Sequence, residues 1–566
     1  MRTLVQSLIA GLMILFATGA QAANDKARCE ALSVHGAPGT LDITATLEAP
    51  GFNLPDTYYR LPSSILHFGP GSDDASVTQQ GPTTKAFCRV KGVAPTQIRF
   101  EVWLPVDGWN GRLLGVGNGA MAGAVPFPAI QAGMEAGYAT VGSNLGHEGP
   151  ITDSSFSLGH PELLVDWGHR ATHVMAEEAK KAIKAFYGKA QSFAYYAGCS
   201  GGGRQGMMEA QRYPADFDGI LAGDPIMNFT RLTMAGRLWA QLAMYRQAGG
   251  AGYIPATKIP AISTAVIGAC DKLDGIADGI IRDPRACRFD PATIQCKASD
   301  GPDCLTAPQV AALRKIYAGA HDSKGKPIFS GYSPGGELGP GGWAQYLSGD
   351  GPYKGGQWNY AKGVLPVLLY SDPSWDITKI DYDKDPDRAL ALPILGEPLH
   401  QVIDAWNPDL SAFVARGGRL IHYHGWSDPG VPPLNSIAYY ERVIDQVAAT
   451  QHISREQALA KVQQNYRLFM GPGMQHCTGG PGPDRFDGLT PLQNWVEKKQ
   501  APDEIRAVHV SGGKVDLSRP LCPYPLVARW TGKGSTSDAA NFVCRPAPEP
   551  AKTAGSAPPR GSAPAG

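Results

Sequence analysis

The fold is indicated most directly by residues 195-YYAGCSGGGRQGMMEAQRYP-214. A strand pattern over 192–198 runs into Gly198-Cys199-Ser200-Gly201-Gly202, a G-x-S-x-G motif, and a helical pattern follows from Gln205 to Arg212. Glycines beside Ser200 permit the strained turn that presents a serine hydroxyl above the end of a sheet. The motif alone is weak because glycine and serine are common. Strand, turn and helix together predict that Ser200 is a nucleophile.

Strands and helices alternate on both sides of this motif. Short runs rich in Val, Ile, Tyr and Phe predict strands at 97–105, 112–117, 138–143, 217–225 and 418–425. A helix is predicted over 169–188, with its apolar stripe at Met175, Ala179, Ile183 and Phe186. Such alternation is typical of an α/β protein with a mostly parallel sheet that is covered on both faces.

The alternation is interrupted between about 229 and 410. This segment is rich in Pro, Gly, Asp and aromatic residues and contains four cysteines, so an inserted lid domain is a better interpretation than a disordered linker. The catalytic domain is therefore predicted in two parts, 23–228 and 411–545. The remaining 546–566 is rich in Pro, Ala and Gly and is predicted to be disordered.

The N-terminus has the pattern of an export signal. Arg2 precedes an apolar run of roughly 14 residues, and Ala20-Gln21-Ala22 forms a small-residue cleavage site, so residues 1–22 are predicted to be a signal peptide. The run is short for an uncleaved membrane anchor. Periplasmic and secreted locations both fit, and the mature chain is predicted to be soluble. With 51 basic and 51 acidic residues, the full sequence lacks the charge pattern of a nucleic-acid-binding protein.

Ten cysteines lie beyond the predicted cleavage site. An even number in an exported chain predicts disulfide bonds. Zinc is the competing interpretation, but the sequence has no C-x-x-C pair and no H-E-x-x-H motif. Spacing alone does not give the connectivity.

The partners of Ser200 should follow it in the order acid, then histidine. Asp428 opens the loop after strand 418–425, where an orienting carboxylate is expected, although an Asp-Pro turn residue is the alternative. His476 lies in the glycine-rich loop 471–483 and is the predicted base. His422 and His424 fall within the strand and are interpreted as structural, whereas His452 and His509 are rivals without that loop context.

Two features flank the predicted nucleophile. The amide of Gly201 would form half of an oxyanion hole, and Gly119 in the loop 115–123 is the candidate for the other half, although a tight turn also explains those glycines. Cys199 precedes Ser200 and Cys477 follows His476. If serine and histidine are within hydrogen-bond reach, these two cysteines are close enough for a disulfide that ties the two loops together.

Cys199-Ser200, Asp428 and His476-Cys477 resemble the signature of the tannase and feruloyl esterase family, which also contains the mono(2-hydroxyethyl) terephthalate hydrolases. The similarity extends from about Cys29 to Cys544. It implies an α/β-hydrolase fold with a large inserted lid domain. It also implies the remaining bridges, which are Cys29–Cys88, Cys270–Cys287, Cys296–Cys304 and Cys522–Cys544.

The resemblance further implies one structural calcium ion in the lid. The matching segment is 270-CDKLDGIADGI-280, with carboxylates from Asp271, Asp274 and Asp278 and backbone carbonyls from Ile276 and Ile280. Clustered oxygen donors suit a hard cation, but the segment is too short for an EF-hand and lacks its terminal Glu. A solvated Asp-Gly turn is the alternative.

These residues together predict a serine carboxylic ester hydrolase that needs no organic cofactor. The resemblance implies esters of aromatic acids, of the feruloyl or galloyl type, with a terephthaloyl monoester as the alternative. A peptidase or amidase and a non-catalytic binding protein are the competing classes; loss of Ser200, Asp428 or His476 would have indicated the latter, and none is lost. The preferred acid, the lid residues that select it and the oligomeric state do not follow from the pattern.

Overall fold

The protein is described from a computed structural model, which covers residues 23–37, 39–55 and 81–547. The predicted signal peptide lies outside these residues, as does the predicted tail from 548 onward. The start of that tail is corrected slightly, because Pro546 ends the strand Phe542–Pro546 by pairing with Leu526. Every helix within the described ranges is too short or too polar to span a bilayer.

A nine-stranded sheet forms the centre of the molecule, and its strands are numbered here in chain order. They are β1 Asp42–Glu48, β2 Phe87–Ala94, β3 Ile98–Pro105, β4 Arg112–Val116, β5 Ala139–Ser143, β6 Phe193–Cys199, β7 Gly219–Gly223, β8 Arg419–Gly425 and β9 Tyr466–Gly471. Their spatial order is β1-β2-β3-β5-β4-β6-β7-β8-β9. The pairs from β5 through β9 are parallel, whereas β1, β2, β3 and β5 pair antiparallel.

Both faces of the parallel strands are buried. Neighbouring residues of β6 enter different cores, because Tyr195 packs in one cluster and Tyr196 in the other, and Leu113 and Leu114 divide in the same way on β4. Successive side chains of a strand point to opposite faces, so a sheet covered by helices on both sides needs this continuous apolar run. The predicted α/β-hydrolase fold is confirmed.

The longer helices are α1 Phe127–Glu135, α2 Ala171–Tyr187, α3 Gly201–Arg212, α4 Trp239–Tyr245, α5 Ile259–Cys270, α6 Ala307–Ala318, α7 Gly356–Tyr370, α8 Leu434–Gln451, α9 Arg455–Val462 and α10 Leu489–Lys498. The helix after the motif begins at Gly201, four residues before the predicted start. Glycine has a low helical propensity, but Gly203 cannot carry a side chain, because a Cβ there would lie 2.3 Å from the Gly223 carbonyl oxygen.

The lid segment, defined here as residues 229–410, contains α4 to α7. Its shorter elements are the helices Phe229–Arg231, Asp385–Ala391 and Leu399–Ile403, the π-helical turns Leu232–Leu238 and Ala344–Ser348, and two-residue and three-residue strands at 320–329 and 393–398. Ile262, Leu313 and Trp343 belong to an apolar cluster separate from the two sheet cores. Other parts of the segment, such as Leu232 and Val364, pack into a sheet core. The segment therefore has a small core of its own and is also joined to the sheet.

Two antiparallel hairpins complete the described chain, and five disulfides join its parts. The hairpins pair Ile505–Ser511 with Lys514–Leu521, and Leu526–Trp530 with Phe542–Pro546. All ten cysteines are paired, as Cys29–Cys88, Cys199–Cys477, Cys270–Cys287, Cys296–Cys304 and Cys522–Cys544. These are the pairs that the sequence and its resemblance led us to expect.

Candidate active site

Ser200 occupies the sharp turn between β6 and α3. Its φ of 61° lies in the left-handed region, which is strained for a residue with a side chain. The turn is held because the Ser200 amide donates to the Gly223 carbonyl at 2.9 Å and its carbonyl accepts from the Ile226 amide at 3.2 Å. This strain is the property of a nucleophile elbow, which aims a serine hydroxyl away from the end of the sheet.

Three side chains form a continuous hydrogen-bonded chain at the carboxyl edge of the sheet. The Nε2 atom of His476 lies 2.9 Å from the Ser200 Oγ atom, and its Nδ1 atom lies 2.7 Å from Oδ2 of Asp428. Ser200 follows β6, Asp428 follows β8 and His476 follows β9. Parallel strands therefore deliver all three predicted residues to one edge. His452 and His509 lie elsewhere, at the end of α8 and on the 505–511 strand.

The second oxygen of Asp428 fixes the carboxylate in place. Oδ1 accepts from the amides of Gly430 at 2.6 Å and Val431 at 2.9 Å. Asp428 is thus a turn residue and a histidine partner at once, so the two interpretations of the sequence were not exclusive. A carboxylate held by two amides presents its other oxygen to His476 in one orientation.

In this hydrogen-bonded chain of side chains, burial and neighbouring charges have opposite effects on the pKa of each group. Burial works against a charged imidazole, but the Asp428 carboxylate outweighs it and raises the pKa of His476 above its ordinary value. Burial likewise works against a charged Asp428, but His476 and His424 hold the pKa of Asp428 well below its usual range. Asp428 is therefore ionised, and it stabilises the imidazolium that forms whenever His476 takes a proton.

His424 also contacts the carboxylate of Asp428. Its Nε2 atom lies 3.2 Å from Asp428 Oδ2 and 3.0 Å from the Val431 carbonyl, so this nitrogen carries a hydrogen. Its Nδ1 atom lies 2.6 Å from the Ser436 hydroxyl, which His422 also meets at 2.8 Å. The interpretation of both strand histidines as structural misses this direct contact of His424 with the chain.

Asp224, at the end of β7, joins the loops around the site. Its two oxygens accept from the Gly425 amide at 2.8 Å and from the Cys477 amide at 2.9 Å. Burial raises its pKa to about 6, although His424 and His476 act against this. Asp224 is not among the predicted site residues, yet it follows β7, which lies between β6 and β8, and a position after a strand is the same signal that identified Asp428.

The disulfide between Cys199 and Cys477 lies next to the site. The two Cα atoms lie 6.0 Å apart, and the bridge joins positions 278 residues apart in the chain. It connects the residue before Ser200 to the residue after His476. The covalent link limits how far the two loops can separate, and with them the serine and the histidine.

The predicted oxyanion-hole residues lie against each other. A Cβ on Gly201 would be 3.0 Å from the Gly119 carbonyl carbon and 2.5 Å from the Ala120 amide nitrogen, so glycine is required for this approach. Gly201 is the first residue of α3, where amide hydrogens have no partner within the helix. The structure brings the two predicted amide-bearing positions together beside Ser200.

Lid-segment residues contact the loops that carry Asp428 and His476. The Gln475 side chain is buried and bonds the Leu338 carbonyl at 2.9 Å and the Gly341 amide at 3.1 Å. The ring of Tyr346 meets the His476 ring edge to face, with centroids 6.2 Å apart. Gln357 on α7 donates to the Pro429 carbonyl at 2.6 Å. None of these contacts follows from the sequence pattern.

The segment predicted to bind calcium follows α5 as a compact turn. Asp271 Oδ1 accepts from the amides of Asp278 and Gly279, at 3.2 Å and 3.0 Å. The Oδ2 atom of Asp278 accepts a hydrogen bond from Arg519 at 2.6 Å. The donor set is all oxygen, which suits a hard cation in kind. The carboxylates of Asp271, Asp274 and Asp278 are not among the clusters with metal-ligand spacing found in the described part of the chain.

Comparison with known proteins now adds to this geometry. Residues 78–545 match the family model for tannase and feruloyl esterase. An uncharacterized esterase of Xanthomonas campestris pv. campestris is 39% identical over 82% of this chain and 85% of its own length. The mono(2-hydroxyethyl) terephthalate hydrolase of Piscinibacter sakaiensis is 32% identical over 86% of this chain and 89% of its own.

Solved structures agree with the family match. The crystal structure of feruloyl esterase B from Aspergillus oryzae covers 92% of this chain and 100% of its own, with 29% identity and a TM-score of 0.77. The tannin acyl hydrolase from Aspergillus niger has the same fold, with a TM-score of 0.71, 22% identity and coverage of 92% and 94%. The chain belongs to the tannase and feruloyl esterase family. It is a carboxylic ester hydrolase that acts on small-molecule esters.

Proposed function

We propose that the chain hydrolyses esters of aromatic acids through an acyl-enzyme on Ser200. The observation that carries this proposal is the continuous chain of Asp428, His476 and Ser200, with atom separations of 2.7 Å and 2.9 Å. Its relatives named feruloyl esterase and mono(2-hydroxyethyl) terephthalate hydrolase support the aromatic acid. The feruloyl or galloyl type is the leading substrate class, and a terephthaloyl monoester is the alternative.

In the first half of the reaction, His476 Nε2 accepts the Ser200 proton while Oγ attacks the ester carbonyl carbon. The amides of Gly201 and Gly119 hold the oxyanion of the tetrahedral intermediate. The intermediate collapses, the carbon–oxygen bond to the alcohol breaks, and His476 returns the proton to the leaving alkoxide. In the second half, water attacks the acyl-enzyme with His476 again as base, and the acid leaves as Ser200 regains its proton.

The test is a panel of methyl ferulate, methyl gallate, mono(2-hydroxyethyl) terephthalate and an acetyl ester. We expect the parent to prefer one of the aromatic esters, and Ser200→Ala to lose about 10⁶-fold in kcat, as serine-triad enzymes do. Ser427→Ala is the matched control, because its hydroxyl bonds the Gly335 carbonyl beside the site and meets none of the three chain residues. Retention of activity in Ser200→Ala, or a parent that prefers acetate, would refute the proposal.

Calcium binding by the 270–280 segment is a second part of the proposal. Asp271, Asp274 and Asp278 would supply carboxylate oxygens, and Ile276 and Ile280 would supply backbone carbonyls. The mutual repulsion of the acids supports it: burial raises the pKa of Asp274, and Asp278 and Asp271 add to that increase. A divalent cation would relieve this repulsion. The role of the ion would be to stabilise the lid segment, since residues 270–280 include none of the three residues assigned to the chemical step.

Export is the third part. Five disulfides support an oxidising location, since such bonds persist in the periplasm and outside the cell. The predicted signal peptide 1–22 would be removed during this export. Mass spectrometry of the mature protein from periplasm and medium checks both points, and an N-terminus at Met1 would contradict them.

A further inference from the structure

Arg237 is a buried cation without an acceptor. It lies in the π-helical turn Leu232–Leu238 of the lid segment, and only 3% of its surface is exposed. Within the described residues, no carbonyl or side chain accepts a hydrogen bond from its guanidinium, and two of its nitrogens, Nε and Nη1, are fully enclosed. Its one close partner is the ring of Tyr360, whose centroid lies 4.3 Å from Cζ. A guanidinium has five N–H donors, and an aromatic face satisfies none of them fully.

The two other arginines buried within the described residues have hydrogen-bond acceptors, although Nε of Arg204 also lacks one. Arg204 has no exposed surface and donates to the carbonyls of Trp167, Gly168 and Ile403, at 2.7–3.1 Å. Arg519 is 6% exposed and donates to the Asp278 carboxylate. Leaving a buried charge unpaired is costly, so proteins rarely do so without a ligand or water to complete it. Arg237 therefore differs from its counterparts in the same molecule.

The groups around Arg237 connect it with the loops that carry Asp428 and His476. Burial lowers the pKa of Arg237, and the negative charge of Asp428 acts in the opposite direction, so the guanidinium lies within electrostatic range of that carboxylate. Gln357, one turn before Tyr360 on α7, donates to the carbonyls of Pro429 and Gly430. Tyr346, the lid-segment ring against His476, also acts on Arg237 electrostatically. The turn that carries Arg237 packs against α7, and Gln357 of α7 bonds the loop that follows Asp428.

The hydrogen-bond inventory of this region defines what is lacking. Besides Arg237, the buried hydroxyl of Tyr332 lies beside the Gln357 side chain, whose Oε1 has no other partner among the described residues. Tyr332 belongs to the same neighbourhood, since it too acts on the charge of Arg237. The guanidinium of Arg237 is therefore left without an acceptor among the described residues. The complementary ligand group is an oxygen acceptor that tolerates aromatic surroundings.

We propose that Arg237 is a specificity-determining residue that binds an oxygen acceptor on the substrate, either a phenolic oxygen or a carboxylate. This rests on the proposed function and gives it a substrate class, namely aromatic esters that carry such an oxygen remote from the scissile carbonyl. A bare ring leaves the guanidinium unpaired, and a site built around a polar contact rejects the analogue that lacks it. A carboxylate can meet the guanidinium with two parallel bonds, and a phenolic oxygen with one or two.

The test compares esters that differ only at the ring position opposite the ester. One series is methyl benzoate, methyl 4-hydroxybenzoate and monomethyl terephthalate; the other is the corresponding cinnamates. We expect Arg237→Met to lower kcat/KM at least 20-fold for the phenolic or the carboxylated ester in one series, and less than threefold for the bare rings. Arg237→Lys keeps the charge without the fork, so it should recover part of the loss on the carboxylated ester only.

Arg231→Met is the matched control, since it removes an arginine from the adjoining turn of the same helical run, where Arg231 meets Asp387 at 3.9 Å. It should leave all six rates within threefold of the parent. If Arg237→Met lowers all six rates by one common factor, or lowers the melting temperature as the loss of a packed structural residue would, the proposal is overturned. We expect the melting temperature of ligand-free Arg237→Met to be equal or higher, because an unpaired buried charge is removed.

A binding measurement separates this proposal from the proposed function. In a Ser200→Ala background, calorimetry with monomethyl terephthalate and methyl 4-hydroxybenzoate requires no turnover. Affinity for one of them that falls at least 20-fold on adding Arg237→Met, while methyl benzoate changes less than threefold, supports the assignment even if the enzyme prefers another reaction. If Ser200→Ala and the double variant with Arg237→Met bind every probe with equal affinity, the proposal is overturned, whatever ester the parent hydrolyses.

Discussion

The sheet edge and the lid segment are built on different principles. At the sheet edge, Ser200, Asp428 and His476 each follow a regular parallel strand, and backbone amides and a disulfide fix them. The lid segment uses π-helical turns, short 3₁₀ turns and strands of two or three residues. Its polar residues reach the same site from scattered positions. The first region is built from regular strands and helices, and the second is an irregular insertion between them.

This difference suggests a division of labour. A reaction needs a few groups in one fixed geometry, which the carboxyl edge of a parallel sheet supplies. Substrate choice needs walls and polar contacts fitted to one ligand, which an irregular insertion can vary without disturbing the sheet. Changes at the sheet edge should therefore affect all substrates alike, whereas changes in the lid segment should separate one substrate from another.

After Ser200→Ala, Asp428→Asn should produce the largest effect at the sheet edge. We expect kcat to fall about 10⁴-fold for every ester, because an amide favours the wrong tautomer of His476. The pH profile should also change. In the parent, the raised pKa of His476 places the acid limb of kcat/KM above the ordinary histidine value of about 6.5, since the protonated ring is inactive. Without the Asp428 carboxylate, burial lowers the pKa of His476 and only Asp224 still raises it, so the acid limb should move to lower pH than in the parent.

Asp409→Asn is the control for that experiment, because Asp409 is a surface carboxylate that accepts from the Ser411 amide at 2.9 Å. It should leave both rate and profile unchanged. An acid limb in Asp428→Asn at the same pH as in the parent would show that Asp428 does not set the charge state of His476.

The disulfides offer a direct comparison of the two regions. Removing Cys199–Cys477 by a double serine variant should lower kcat about 100-fold for all esters, since a displacement of about 1 Å between catalytic groups has that effect. It should also lower the free energy of unfolding by about 2–4 kcal/mol. The lid-segment bridge Cys296–Cys304 closes a loop with a separation of only 8 residues, and its removal should change kcat less than threefold. Equal losses of kcat in the two variants would contradict the division.

Calcium removal tests the lid segment without touching the site. A chelator should lower the melting temperature, because an ion at a hundredfold its dissociation constant stabilises the folded state by about 2.7 kcal/mol. At temperatures where the protein stays folded, kcat/KM should not change. Asp274→Asn should make the melting temperature indifferent to the chelator. A parent that melts identically with and without chelator, and contains no calcium by elemental analysis, would remove calcium from the proposal.

The regular part of this molecule could be predicted because its signals are local. The G-x-S-x-G turn, the strand before Asp428 and the paired Cys-Ser and His-Cys dipeptides each lie within a few residues of sequence. Asp224 and His424 were missed because their roles depend on which strands become neighbours in the sheet. Arg237 carries no local signal at all, since an arginine on a helix usually faces solvent. Its burial results from packing between Leu232–Leu238 and α7, which no single window of sequence reveals.

The smallest expected effect is also the sharpest test of the division. Tyr346 belongs to the lid segment, but its ring meets the His476 ring with centroids 6.2 Å apart. As an aromatic wall beside the base, it can contact a substrate ring while adding nothing to proton transfer. Tyr346→Ala should therefore lower kcat/KM about tenfold for an aromatic ester and less than threefold for an acetyl ester, which uses little of the wall.

Tyr346→Phe keeps the wall and should retain the rates of the parent on both esters, which separates the ring from its hydroxyl. The acid limb of the pH profile should stay where it is in the parent, because Asp428 and not Tyr346 is the main group that raises the pKa of His476. If Tyr346→Ala instead lowers kcat/KM for both esters by the same factor, the ring acts by positioning His476. Substrate choice would then not be separable from the chemistry, and the sheet edge and the lid segment would have to be regarded as a single catalytic unit.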